Sequence, residues 1–350
     1  MIIGSTMAGV FLHAVGGFAA GSFYIPFKKV RGWSWETYWL VGGVFSWIVA
    51  PLILAFLTVD DLPAVLAESP LRSLLWTYVF GVLWGIGGLT FGLSMRYLGF
   101  SLGYALTLGF CAALGTLIPP LFRGELLPIL GDASGRILLF GVFVCLTGIA
   151  ICARAGMLKE SEISSELKRQ SVAEFNFVKG IWIAVFAGVM SACMAFAFAA
   201  GKPIAAAAVQ HGTRDIFQNN AVLVVVLLGG ITTNVLWCAY LHTVNKSWSD
   251  YLLAGKAPLV SNYVFSAIAG VTWYLQFFFY GMGTTKMGEY DFASWTLHMA
   301  FIMIFGNLWG LIFREWRGTS RKTRLWIHTG LAVLVVSTII VGYAKNLTGF

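Results

Sequence analysis

The sequence predicts an all-α integral membrane protein, with ten transmembrane helices arranged as an inverted repeat of two five-helix halves. Three observations lead there. Hydrophobic residues make up 58% of the 350 and charged ones only 11%, with a mean hydropathy of +0.80, far outside the range of a domain with a polar skin. The apolar residues fall in runs of about 20, the length that crosses a ~30 Å hydrocarbon core. Five runs precede and five follow the charged stretch SEISSELKRQSVAEFN. An odd number of spans per half makes the second half enter the membrane in the opposite sense.

The first repeat is expected over residues 1–155 and opens with a span at 4–26 that carries His13, Gly17 and Gly21 and ends at Lys28, Lys29 and Arg31. No Lys or Arg precedes this run, so it lacks the pattern of a cleaved signal peptide and is expected to stay in the membrane. The second span, 36–58, is preceded by Trp33 and Trp35, which suit an interfacial aromatic belt. The third, 74–95, contains GVLWGIGGLTFG, which lacks both the full spacing and the preceding strand of a phosphate-binding loop. Its pairs Gly81/Gly85 and Gly88/Gly92, like Gly17/Gly21 and Gly306/Gly310 elsewhere, have the four-residue spacing that lets helices approach closely in lipid. Spans at 101–121 and 136–154 complete the half. The five cysteines, Cys111, Cys145, Cys152, Cys193 and Cys238, all fall inside spans without metal-type spacing and read as small packing residues.

A charged cytoplasmic linker is expected over 156–178 and the second repeat over 179–350. Span six, 179–201, closes on Lys202 as span one closes on Lys28. Span seven, 217–241, opens with Gln218, Asn219 and Asn220, and Gln210 lies just upstream; helix-end chemistry is expected there. Span eight, 260–283, holds Tyr263-Val264-Phe265, a faint echo of Tyr78-Val79-Phe80 in span three, and the run WYLQFFFYGMG. Spans at 289–312 and 325–345 close the chain. Sixteen of the 23 basic residues fall at odd-numbered connections. Basic loops stay on the cytoplasmic side, so both termini are predicted periplasmic. The net charge of +8 follows from that topology and requires no nucleic-acid partner.

Polar groups inside spans are expensive and mark candidate sites. His13 and His298 each lie about nine residues into their spans, near the bilayer midplane at ~1.5 Å per residue, and one belongs to each half. On a helix, Asp291, Ser294, Trp295 and His298 share one face, with a rise of roughly 10 Å from Asp291 to His298. A proton arriving from outside would meet Asp291 first, and an imidazole exchanges protons near neutral pH. His13, Asp291 and His298 are therefore candidates for proton coupling. Structural roles compete: Asp291 and Glu289 as helix caps, the histidines as hydrogen-bonding partners between helices. Trp273, Gln276 and Tyr280 also share a face and, with Trp84 and Trp295, are candidate sugar contacts, since flat rings and a few placed polar groups are what such a pocket needs. The competing reading is a lipid-facing aromatic stripe with one interhelical amide. Neither histidine has a metal-type partner, so zinc is not expected. The sequons at Asn245 and Asn346 carry no weight alone.

The segments FYIPFKKVRGWSWETYW (Phe23 to Trp39), WGIGGLTFGLSMRYLG (Trp84 to Gly99) and WYLQFFFY…EYDFASWTLHM through FREW (Trp273 to Trp316) resemble the bacterial L-rhamnose/proton symporter family, a ten-span branch of the drug/metabolite transporter superfamily, and the resemblance runs over essentially the whole chain. It implies proton-coupled uptake of L-rhamnose, and of related 6-deoxy sugars, across the inner membrane. It implies no cofactor beyond the co-transported proton, with the sugar and the bilayer as partners. The segment DIFQNNAVL, the linker and the acidic Glu289 depart from the family pattern, which bears on sugar specificity more than on fold. A proton-driven exporter of metabolites or drugs would share the composition. A membrane-embedded enzyme would need nucleophile, base and metal constellations that the sequence does not display.

Overall fold

The computed structural model describes residues 2–98, 100–162, 176–252, 257–288 and 291–344. Among the described residues there is no strand, as expected where no water is present to pair an open backbone and each segment must satisfy its own N–H and C=O groups. Among the described residues ten helices are long and apolar enough to cross a membrane: α1 Thr6–Phe27, α2 Trp35–Thr58, α3 Leu71–Met95, α4 Gly103–Phe122, α5 Ala133–Glu162, α6 Val178–Gln210, α7 Asp215–Asn245, α8 Leu259–Met287, α9 Ala293–Ile312 and α10 Arg321–Tyr343. Each corresponds to one expected span.

The bounds differ where local chemistry intervenes. Helix α5 continues to Glu162, into the expected linker; 163–175, with Lys168 and Arg169, lie outside the described residues, and the linker's last residues, 176–178, already cap and begin the next helix. Helix α6 breaks at Gly201 and restarts over Lys202–Gln210 with Pro203 in its first turn, a position where a missing N–H removes no intrahelical bond. Helix α9 begins at Ala293, not at 289; Glu289 lies outside the described residues, and Asp291 sits in the preceding turn. Helix α2 contains a π-helical segment, Phe45–Val49.

Packing follows the glycines only in part. Helix α1 lies against α8 and α9, α3 against α6 and α7, α4 against α6, α2 against α8, and α5 against α10. A Cβ on Gly17 would run into Phe301 of α9, and one on Gly81 into the Val226 backbone of α7. Gly270 of α8 and Gly42 of α2 touch backbone to backbone. Gly88 and Gly92, by contrast, have nothing within 4 Å of an added Cβ, so this pair does not serve close packing. The five cysteines are free and buried, in keeping with a packing role.

The connections gather at two opposite ends. At one, Asp60 N–H donates to Thr213 Oγ1 at 2.9 Å, and His211 reaches Glu68 at 3.0 Å, joining the α2–α3 and α6–α7 connections. At the other, the α1–α2 and α7–α8 connections interlock. Buried Glu36 accepts from Ser247 Oγ at 2.5 Å and from Asn245 Nδ2 at 3.0 Å. Since the Ser247 hydroxyl is used on Glu36, His242 Nδ1 donates to Ser247 Oγ at 2.7 Å, and its Nε2 accepts from Tyr251 at 2.9 Å. Asp250 accepts from Ser34 N–H at 2.8 Å and Thr37 Oγ1 at 2.9 Å, while Asn262 bridges both backbone groups of Arg31. This end is sealed. Trp33, expected in an interfacial belt, is instead buried here against Tyr263 and Tyr251, because the interlocked loops fold over it.

Candidate functional site

The sequence holds three proline or glycine interruptions that open the unsealed end. Pro119 and Pro120 near the end of α4 remove intrahelical donors, α6 breaks at Gly201, and α8 ends at Gly288 with φ of 64°, a conformation glycine adopts without strain. Between these interruptions lies a cavity of about 370 Å³ reached from that end, within the range of about 300–1,000 Å³ usual for small-molecule sites.

Its walls combine rings with hydroxyl-pairing groups. Phe198 of α6, Tyr280 of α8, and Phe292 and Trp295 at the start of α9 supply the rings, and Gln218, Asn219, Thr284 and Thr285 the neutral polar groups. Asn219 Nδ2 donates to Gly281 O at 2.8 Å and to Thr284 Oγ1 at 3.0 Å. Its role is therefore to tie α7 to α8 at the cavity wall. The expected helix-end role is not seen for its neighbours either: Gln218 makes no side-chain cap, and Asn220 bonds Thr58 of α2 at 2.7 Å. At the mouth, Lys202 Nζ pairs with Asp291 at 2.6 Å.

That pairing corrects the expectation for Asp291. The helix starts two residues later, so Asp291 does not share a helical face with His298, and the N-cap position is Phe292 without a side-chain cap bond. The carboxylate is held by a lysine from the other side of the α6 break. With the partner side chains 52% and 27% exposed, the pair is a wet one.

Trp295 and Tyr280 form the cavity floor. Trp295 Nε1 donates to Cys111 O of α4 at 3.1 Å, and Gly115 leaves room for the indole. Tyr280 meets Trp295 edge to face at 5.4 Å. Directly beneath lie the two histidines. Tyr280 is 5.4 Å from His13 and 5.2 Å from His298, ring centre to ring centre, and the imidazoles are 6.5 Å apart. Both are fully buried, and neither ring nitrogen of either one hydrogen-bonds another described protein atom. Glycines shape this chamber: a Cβ on Gly283 would come within 2.7 Å of His13 Cε1, and one on Gly16 within 3.4 Å of His298 Cε1. A buried polar group left unpaired costs about 1–3 kcal/mol, so two such rings side by side call for a functional explanation.

Of the expected sugar contacts, Tyr280 and Trp295 line the cavity. Gln276 is buried with Nε2 unpaired, and its backbone carbonyl packs on Gly16 next to the histidines. It belongs to the deeper layer. Trp84 and Trp273 do not line the cavity. Trp84 packs edge to face on Phe277 at 5.4 Å and against Gly230. Trp273 lies one turn nearer the sealed end, 4.3 Å from Phe23. A face that spans seven residues on one helix also spans roughly 10 Å of depth, so Trp273 and Tyr280 meet different layers. Phe198, Lys202, Thr284 and Thr285 line the cavity as well; the sequence marks them only by a lysine-proline pair after an oily run and a threonine pair at a span's end. Among the described residues no three His, Cys, Asp or Glu could hold a metal ion.

Comparison with known proteins accords with this architecture. The profile described as L-rhamnose-proton symport protein matches residues 3–346. An L-rhamnose-proton symporter of Cronobacter sakazakii is 41% identical over 338 residues, 95% of this chain and 96% of the relative. One of Yersinia pestis (strain Pestoides F) is 38% identical over the same length and coverage. With a match over nearly all of its ten helices, the chain belongs to the L-rhamnose-proton symport protein family.

Proposed function

We propose that this protein is a secondary transporter that carries L-rhamnose inward together with a proton by alternating access, without a further cofactor, in the bacterial inner membrane. The observation that carries the reading is the unpartnered pair His13 and His298, one from each half of the chain, lying under the floor of a ring-walled cavity. On the basic-residue count the cavity opens to the periplasm and the sealed end faces the cytoplasm. The related curated proteins are named for the same substrate and ion.

The proton belongs to the histidine pair. Two positive imidazoles 6.5 Å apart would repel by about 2.5 kcal/mol at an effective dielectric of about 20, which favours one proton on the pair per cycle. One charge crossing 100 mV supplies about 2.3 kcal/mol, enough for about 50-fold accumulation of a neutral sugar. The sugar would sit on Tyr280 and Trp295 with hydroxyls toward Asn219 and Thr284. Asp291 and Lys202 guard the mouth.

The inverted repeat is part of the proposal: 1–155 and 179–350 as two halves around the linker at 156–178, the arrangement of the drug/metabolite transporter superfamily. The helix neighbours support it. Exchanging α1–α5 for α6–α10 turns the α1–α8 contact into α6–α3, α2–α8 into α7–α3 and α1–α9 into α6–α4, all of which occur. Helix interruptions at residue 23 and at Gly201 also correspond. The test is uptake of labelled L-rhamnose into right-side-out vesicles under an imposed pH gradient, with external pH recorded. Accumulation with alkalinisation is expected; sugar movement without proton movement, or none, overturns the reading.

A further inference from the structure

We propose that the packed space between α1, α2 and α8 is a second sugar-binding subsite, a collapsed vestibule through which the sugar leaves at the sealed end, with Ser46, Trp47 and Trp273 as its hydroxyl-bonding groups. This rests on the transport function proposed above and extends it to a site separate from the open cavity.

The residues meet because α2 departs from α-helical geometry at Phe45–Val49, a kind of bulge frequent at functional positions because it re-aims side chains. Ser46 and Trp47 are 2% and 3% exposed, and together with Trp273 of α8 they border one residual void of about 10 Å³. Ser46 Oγ, Trp47 Nε1 and Trp273 Nε1 are all without a hydrogen-bond partner. Nearly every buried polar atom in a native interior is paired, and here three residues that each carry an unpaired one border the same small space. A void of that size holds one water at most, and no sugar, while this arrangement lasts. A hydroxylated ligand that enters when the walls part would supply the partners they lack.

The walls can part. Helices α2 and α8 meet here backbone to backbone through Gly42 and Gly270, with the Phe27 ring of α1 packed on Gly42. Beyond it the seal is held by hydrogen bonds that Glu36 and Asp250 accept and Asn262 donates, which water can replace when the loops separate. The ligand chemistry follows from the lining. Indoles offer a flat apolar face with one N–H donor, serine offers a hydroxyl, and no charged side chain borders the void. A neutral ring with C–H faces and hydroxyl groups fits, whereas an ion would find no countercharge.

Three variants test the subsite, alongside wild-type vesicles whose buried cysteines set the labelling background. In inside-out vesicles, Ser46→Cys is expected to react with a membrane-impermeant methanethiosulfonate, at least about fivefold more slowly with saturating L-rhamnose. Trp47→Phe and Trp273→Phe keep the ring and lose the N–H, and one neutral hydrogen bond is worth about fivefold. Each should raise the half-saturating L-rhamnose for efflux by about that factor and leave the value for uptake from the cavity side within about twofold. Reaction that L-rhamnose does not slow, no reaction, or equal effects on efflux and uptake overturns the proposal. Should Ser46→Cys fail to fold, the two indole variants decide alone. If the wild-type protein accumulates L-rhamnose while the variants give null results, the subsite alone is wrong; if it accumulates none, the transport reading falls and the subsite with it.

Discussion

His298 and His13 are two imidazoles that the fold has stripped of every hydrogen-bonding alternative among the described residues. Replacing His298 by Gln keeps a polar group of similar reach and removes the titratable nitrogen. Accumulation is expected to fall from about 50-fold at 100 mV toward unity, while L-rhamnose counterflow persists; unchanged accumulation would take His298 out of the coupling step. Gly283 is the companion test. A methyl there collides with His13, and overpacking of this kind costs about 1–3 kcal/mol, so Gly283→Ala should lower both the unfolding temperature in detergent and the coupling ratio. Asp291 behaves differently because its countercharge is at hand. Wet ion pairs contribute about 0–1 kcal/mol, and the Tyr280–Trp295 floor lies between this pair and the imidazoles. Asp291→Asn is expected to leave the proton-to-sugar ratio intact in the vesicle assay; an uncoupled variant would restore the carboxylate to the proton route.

At the scale of elements, equal spacing in the sequence does not mean equal contact. Gly81/Gly85 and Gly88/Gly92 repeat the same pattern on α3, yet the first pair meets α7 and the second meets open space. Spacing fixes which residues share a stripe, and the neighbouring helices decide which stripe is covered. Gly270→Ala drives a Cβ into the Gly42 carbonyl and should destabilise the protein by about 1–3 kcal/mol, whereas Gly88→Ala is expected to be neutral or stabilising by up to about 1 kcal/mol. Thermal unfolding of the two variants in one detergent separates them. The start of α9 departs from the spacing for a related reason. Asp291 and Ser294 fit a helical period, but a turn closed by Asp291 N–H on Gly288 O precedes the helix, and periodicity does not register where winding begins.

Across the whole molecule, an open ring-walled cavity at one end stands against a hydrogen-bonded seal at the other, which is one half of an alternating-access cycle. The seal centres on Ser247, which serves Glu36 and His242 together. Ser247→Ala removes a bond to a charged group worth about 1.5–3 kcal/mol, so the population with this end open should rise by about 30-fold if the loss is near 2 kcal/mol. Spin labels at Lys29 and Lys246, both exposed at this end, should then show longer distances; an unchanged distribution would mean that Ser247 is not part of the seal. Asp250 adds a pH statement. Burial pushes its carboxyl up, but bonds from Ser34 and Thr37 outweigh that and hold it below the usual aspartate value. Its contribution is therefore present above about pH 4, the unfolded value, and is lost as pH falls through the lower folded one. Between pH 5 and 8 the seal should not titrate through Asp250, and spin-label distances should be flat over that range on its account.

The amino-acid sequence by itself determined the ten helices and the membrane as their solvent, because transfer into hydrocarbon depends on the composition of each segment and needs no partner. It also singled out His13, His298, Tyr280 and Trp295. Only the tertiary structure decided that the imidazoles of His13 and His298, 285 positions apart, lie buried side by side, that Lys202 takes Asp291, and that Trp273 faces the sealed side. Those are contacts between helices, and in lipid they are set by the fit of lateral surfaces, a property that a linear pattern of oily and polar residues does not contain.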